Sequence, residues 1–341
     1  MVNEPKVAVL IATRDRTPSL ERALRSVLAC RYASFEVVVV DNAPSNDTTR
    51  ELVTTMFASS PVRYVREPRA GLARAHNTGL HTISAPIVAI TDDDVVVDHA
   101  WLSQIVETFA HDDDVVCVTG AIEPLELDTP AQRWVEHHLG FNKGRTRMSF
   151  DLGVNRPNGR LFPYAAGALG SGANMSFRTS FLREMGGFDP ALGAGSVAQG
   201  GDDLAAFYEV MVRGYRLVYE PGAIVRHQHH RDIEQLEKQI TGYGVGFGAF
   251  LTKIVLDRPS TLVKLARLAP HGIRHAATMR RAPASATVDD QLTPSRLLTN
   301  DHADGRFAAL GRRERLGMLR GPWAYAHSRW QTRSERLGVA Q

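Results

Sequence analysis

The sequence of 341 residues holds only two cysteines, Cys30 and Cys117, both in apolar stretches and far apart. Neither a disulfide framework nor a cysteine-rich zinc module can be built from them, and both read as reduced core residues. No run reaches the roughly 18 consecutive apolar residues of a membrane-spanning helix. The opening residues, MVNEPKVAVLIATRDR, lack the small-residue cleavage pattern of a secretory signal, which predicts a cytoplasmic start. Aromatic residues make up 7% of the chain and are not interleaved with its basic residues, so nucleic acid is a poor candidate partner. A glycine-rich phosphate loop is missing too. The first strand–helix turn reads IATRDRTPSL, which excludes P-loop and dinucleotide cradles and leaves phosphates to be held by a metal and basic side chains.

What is present is a globular composition, 43% hydrophobic and 23% charged, long enough for a sizeable core. The net charge of +3 is unevenly spread. From Leu251 onward sixteen Lys and Arg face seven Asp and Glu, a net +9, which leaves −6 for the first 250 residues.

β-branched runs alternate with helical patterns over the first 120 residues, which predicts an α/β fold with a mostly parallel sheet flanked by helices. Strands are expected at 6–13, 35–43, 62–68, 86–94 and 115–122. Helices are expected near 46–58, 72–82 and 99–110, and one after a Thr17 cap with Pro18 in its first turn. Ligands in such sheets bind beyond the carboxyl ends of the strands. Three strands end there in polar groups: Thr13, then Asp41 with Asn42, then the triplet Asp92, Asp93 and Asp94. Adjacent carboxylates repel unless a cation sits among them, and Mg²⁺ or Mn²⁺ favours oxygen ligands shared with a substrate diphosphate.

From 123 to 170 the pattern weakens into a loop-like insertion. Order returns in SGANMSFRTSFLREMGGF, and a second carboxylate pair, Asp202 and Asp203, opens a helix in GGDDLAAFYEVMV, where the dipole favours negative charge. Two further strands, YRLVYEP and AIVRHQ, lead to His227, with His229 and His230 as rival ligands. Trp101 and Trp134 are either sugar-stacking platforms or core, and core is the ordinary reading.

Taken in order, VVVVDNA, EPRAGLARAHNTGL, the D-x-D of ITDDDV, SGANMSFR, GGFD, GGDDL and the His of AIVRH resemble family 2 glycosyltransferases of the GT-A fold over about residues 6–232. The resemblance implies an inverting transferase that moves a sugar from a nucleoside-diphosphate sugar to a hydroxyl of a glycan, lipid-linked or small-molecule acceptor. It implies a catalytic domain over 1–232, with its nucleotide-sugar half at about 1–122 and its acceptor half at 123–232. Thr13, Arg16, Asp41, Arg69, Gly71, Asn77, Asp92, Asp93 and Asn174 then fall in the donor site. Asp92, Asp94 and His227 fall at the metal, and Asp203 with Asp202 at the catalytic carboxylate. His76 departs from the family's usual Arg, and TRDR (13–16) from its more usual TYNR. The assignment suits the chemistry, because an acceptor hydroxyl needs a base and a departing diphosphate needs positive charge. The competing readings are a sugar nucleotidyltransferase and a glycan-binding protein without turnover.

Residues 233–341 read as a basic helical region. The stretch 233–256 is amphipathic but interrupted by four glycines, and 258–283 pairs an apolar side with arginines. The region between 283 and 305 is a connector, and 310–330 a last helix. A basic amphipathic helix of this kind either packs on the catalytic lobe or lies on an anionic membrane, which would make the protein peripheral at the inner face of the plasma membrane.

Overall fold

The computed structural model describes residues 4–139, 141, 143–268 and 305–336. Nine strands form one sheet: β1 (Val7–Thr13), β2 (Phe35–Asn42), β3 (Val62–Glu67), β4 (Ile87–Thr91), β5 (Val95–Val97), β6 (Val115–Pro124), β7 (Met148–Phe150), β8 (Asn174–Arg178) and β9 (Arg216–His227). Their order is β3-β2-β1-β4-β8-β6-β9-β5, with β7 on β9. Strands β3, β2, β1 and β4 are parallel, β8 runs antiparallel between β4 and β6, and β6 pairs in parallel with β9.

The helices are α1 (Thr17–Leu28), α2 (Thr48–Glu51), α3 (Leu72–Thr82), α4 (Trp101–Ala110), α5 (Pro130–Leu139), α6 (Thr179–Glu184), α7 (Asp202–Val212) and α8 (Ile233–Asp257), followed by a C-terminal helix (Gly305–Arg336). The sequence VAVLIAT makes a central strand because side chains alternate between two covered faces. Val7, Val9 and Ile11 pack with Leu20 and Leu24 of α1 and Trp101 and Leu102 of α4, while Ala8 and Leu10 join the opposite core with Ala73, Ala75 and Leu80 of α3.

Three expectations are corrected. The fourth expected strand, 86–94, stops at Thr91 as β4, and the triplet Asp92–Asp94 is a turn that leads into β5, a short strand beyond the expected range. The expected pair YRLVYEP and AIVRHQ is the single strand β9. The glycines at 242, 244, 246 and 248 do not interrupt α8, which is continuous from Ile233 to Asp257. Helix propensity alone disfavours them, but packing overrides it. A Cβ on Gly244 would meet the Glu314 carbonyl at 2.0 Å, and one on Gly248 the Met318 carbonyl at 2.2 Å, so α8 and the C-terminal helix cross backbone against backbone. Gly317 and Gly321 supply the facing notches. Gly248→Val is expected to cost about 2–3 kcal/mol, read as a lowered denaturation midpoint.

The last helix begins and ends beyond its expected limits and docks on α3 and α8. Tyr325, fully buried, donates to Asp189 at 2.8 Å, and Arg74 of α3 pairs with Glu335 at 2.6 Å. Of the expected basic helix over 258–283, a helical stretch at 260–268 is described, and the remainder, with most of the connector, lies outside the described residues. Among the described residues no helix is long and apolar enough to cross a membrane.

Candidate active site

The parallel strands β1, β2 and β4 deliver their carboxyl ends to one edge, as the register Thr13↔Asp41 between β1 and β2 requires. Beyond β4 the chain turns through the three aspartates and enters β5, whose first residue Val95 pairs with His227 at the end of β9. That antiparallel register carries the imidazole to the aspartates. Ligand atoms of Asp92, Asp94 and His227 all lie within 4.8 Å of one another.

Each aspartate has a different environment. Asp93 is buried and fully engaged, accepting from Thr13 Oγ1 at 2.6 Å and from Arg16 Nη1 at 2.8 Å. It therefore fixes Thr13 and Arg16 rather than facing a ligand. Asp94 accepts from the same Arg16 nitrogen at 2.9 Å through Oδ2. Its Oδ1 is enclosed 3.2 Å from His227 Nε2 but makes no aligned hydrogen bond. Burial would raise the Asp94 carboxyl, yet the His227 imidazole and the Arg16 guanidinium outweigh it and hold it at about 2. Asp92 goes the other way, pushed up to about 7 by burial and by the charge of Asp94. Burial disfavours the charged His227, and its carboxylate neighbours Asp94 and Asp92 more than offset this, raising its pKa.

The donor set suits a hard divalent ion: two carboxylates, one with an enclosed oxygen lacking a hydrogen bond, and one imidazole nitrogen. The other ring nitrogen of His227 faces His229 Nδ1 at 3.2 Å, which orients the ring. Of the three rival histidines, His227 alone joins the aspartates in this group; His229 is buried beside Glu136 at 3.6 Å.

A second carboxylate cluster starts α7. Gly201 precedes it with φ 87°, and a Cβ there would lie 2.5 Å from the Gly246 carbonyl of α8, so glycine is required twice over. Asp203 is held by two backbone N–H groups, Gly172 to Oδ2 at 3.0 Å and Leu204 to Oδ1 at 2.8 Å, while burial raises its pKa. Asp202 is buried and raised to about 7 by burial, by Asp203 and by Asp92. His76 Nδ1 lies 4.0 Å from Asp202, and burial lowers that imidazole to about 4. The residue standing where the family has Arg is thus neutral and tilted against Phe188, with 2% exposure.

At the end of β2, Asp41 is buried, accepts from Tyr64 Oη at 3.0 Å, and keeps Oδ1 without a partner. Its neighbour Asn42 staples the following loop, donating to the Arg69 carbonyl at 2.8 Å and accepting from Gly71 N–H at 2.9 Å. Glu67 secures that loop further, accepting from Arg69 and from Thr78. Burial would raise Glu67, but these hydrogen bonds win and bring it down to about 2. Its folded pKa lies below the unfolded value, so its stabilisation is present above about pH 4.5 and is lost as pH falls toward 2. Glu67→Gln is expected to remove about 2 kcal/mol, allowing for the exposure of Arg69, and to flatten the acid limb of stability against pH.

Two sequence-derived candidates do not reach the cleft. Asn174 is 2% exposed and spends its amide on Trp101, Ala121 and Ala223. Asn77 is similarly committed to both backbone groups of Phe188. Arg178 tethers the carbonyls of Val115, Phe109 and Asp112. Trp101 and Trp134 are core. One residue the sequence reading missed is Tyr243. It sits on α8, half-exposed, accepts from Gln239 at 2.9 Å, and has its phenol raised by burial and by the charges of Asp203, Asp92 and Asp94. The charges of both carboxylate clusters thus act on the Tyr243 phenol. Reading α8 as unbroken was the only signal that would have found it.

Comparison with known proteins identifies the family and the fold. The curated relatives include the Pre-mycofactocin glycosyltransferase of Mycobacterium tuberculosis, 26% identical over 258 residues, covering 75% of this chain and 50% of that protein. They also include the Poly-beta-1,6-N-acetyl-D-glucosamine synthase of Staphylococcus aureus, 27% identical over 221 residues, covering 64% and 48%. The chain thus spans about half the length of the curated relatives it matches. Among solved structures, the mannosyltransferase PcManGT of Pyrobaculum calidifontis, in complex with GDP-Man and Mn²⁺, superposes with a TM-score of 0.56 at 18% identity. That match covers 100% of this chain and 77% of the other, and supports a fold of GT-A type. The family described as "Glycosyltransferase like family 2" matches residues 5–242, from the first strand to the helix that carries Tyr243, and the chain belongs to that family.

Proposed function

We propose that this chain transfers a sugar, with inversion and in dependence on a divalent cation, from a nucleoside-diphosphate sugar to an acceptor hydroxyl. The observation that carries the reading is the group of Asp92, Asp94 and His227, whose ligand atoms all lie within 4.8 Å of one another, in a chain of this family. Asp92, Asp94 and His227 would hold Mg²⁺ or Mn²⁺, which supplies Lewis-acid stabilisation of the departing diphosphate.

The protein's own groups do the rest. Asp41 Oδ1, enclosed and without a partner, is the acceptor for a nucleobase N–H, and the stapled loop at Arg69 and Gly71 lies over the same strand end. Arg16, anchored by Asp93 and Asp94, brings positive charge to the diphosphate side. Asp203 has both oxygens oriented by backbone N–H groups, and its raised pKa makes it a stronger base than an exposed aspartate. It takes the acceptor's proton as the oxygen attacks the anomeric carbon. Asp202 is more deeply buried and its carboxyl is raised to about 7, so Asp203 is taken as the single base, which favours one displacement and therefore inversion. The acceptor is a glycan, a lipid-linked sugar or a small molecule.

Incubation with a panel of nucleoside-diphosphate sugars and Mn²⁺ tests the reading. Release of nucleoside diphosphate with transfer or slow hydrolysis is expected. Pyrophosphate release from a nucleoside triphosphate and a sugar phosphate would instead mark a nucleotidyltransferase.

A further inference from the structure

The C-terminal helix is packed inside out. Its first turns bury Leu310, but from Leu316 on the face toward α8 carries small residues, Gly317, Gly321, Ala324, Ser328 and Thr332, with Tyr325 as the one fully buried large side chain. Four large apolar residues of this part point away: Leu316 is 60% exposed, Leu319 79%, Trp323 66% and Trp330 53%. At 100° per residue these four fall within an arc of about 60°, and at 1.5 Å per residue the stripe runs about 21 Å along the helix. His327 continues the arc, its ring stacked on Trp323 at 5.2 Å and 7°. Scattered exposed apolar residues need no explanation, but an aligned stripe with two tryptophans marks a contact surface.

The charge around the stripe says what the contact is. The helix carries eight arginines and two glutamates. Arg315 lies one turn before Leu319, Arg320 one turn after Leu316, and Arg333 three residues after Trp330, so exposed arginines border the stripe on both sides. Neither glutamate offsets them, because Glu314 is half-buried against α8 and Glu335 is paired with Arg74. A shallow Leu and Trp ridge edged by arginines complements a layer that is apolar inside and anionic at its rim.

We propose that the outward face of the C-terminal helix binds an anionic lipid surface, with Leu316, Leu319, Trp323 and Trp330 entering the acyl boundary and the bordering arginines meeting the headgroups. This surface is independent of the sugar-transfer reading and stands or falls by itself.

The test uses the full chain with vesicles of phosphatidylcholine, with and without phosphatidylglycerol. Trp101 and Trp134 are already buried, so a change in tryptophan emission reports Trp323 and Trp330. Co-sedimentation with the phosphatidylglycerol vesicles is expected, with a blue shift and quenching by brominated acyl chains. The double substitution Trp323→Ala and Trp330→Ala is expected to lower partitioning about tenfold or more. Arg315→Gln, Arg320→Gln and Arg333→Gln together are expected to weaken binding and reduce its salt sensitivity. Failure of the wild-type chain to bind phosphatidylglycerol vesicles would overturn the proposal, as would unchanged binding by the double tryptophan variant. Light scattering that showed a wild-type dimer dissolved by that same variant would assign the stripe to a second copy instead. Should a variant not fold, quenching of the wild-type tryptophans by brominated lipid still decides.

Discussion

Asp203→Asn is expected to reduce sugar transfer by about 10²–10⁴-fold while leaving donor binding near the wild-type level, because the loss is of a proton acceptor and not of a donor contact. The Asn side chain keeps the shape of the site, and its oxygen can still accept one of the two N–H groups that now hold the carboxylate. A kcat measurement beside nucleoside-diphosphate titration separates the two effects. Burial sets the sign of the accompanying pH dependence: it raises the pKa of Asp203, so the base is lost to protonation at a pH above the usual carboxylate range. Activity should therefore rise with pH along an acid limb displaced upward, and Asp203→Glu should move that limb. Wild-type kcat in the Asn variant would remove Asp203 from the role of base.

Asp94→Asn is expected to remove the stabilisation that Mn²⁺ and a nucleoside diphosphate confer together, and with it on the order of 10³-fold or more of activity. The carboxyl of Asp94 is held at about 2, so it is charged across the working range and presents one enclosed oxygen without a hydrogen bond. Its neighbour Asp92, raised to about 7, is a weaker anchor, and the corresponding change there should cost less. Thermal unfolding with and without Mn²⁺ plus a nucleoside diphosphate checks this, and chelation should reproduce the Asp94→Asn result in the wild type. Equal stabilisation of variant and wild type would show that the aspartate turn is not the cation site.

Much of this arrangement was legible in the residues. The nearly continuous burial of VAVLIAT and FEVVVVDN, the helix over 72–82 and the polar strand ends follow from apolar runs and helical periodicity, since each face of a central strand must be covered. What sequence could not supply was pairing. Nothing in RHQHHRD distinguishes its histidines until the register Val95↔His227 is known. Likewise Asn174 and Asn77 look like ligand residues, and only the positions of Trp101 and Phe188 show that their amides are already spent. Glycine misled for a related reason. Its low helix propensity is a local property, whereas its use in α8 is to admit another backbone, which only the folded chain reveals.

The crossing of α8 with its neighbour has a consequence for where this protein can be cut. The family match stops at residue 242, four positions short of the glycine whose carbonyl abuts Gly201 at the start of the helix bearing Asp203. The opposite edge of α8 leans on the C-terminal helix through Gly244 and Gly248. Helix α8 and the C-terminal helix thus buttress the proposed reaction centre, and a shortened chain ending at the family limit would retain each proposed cation and base residue while losing the α8 backbone against which the Asp203 helix starts.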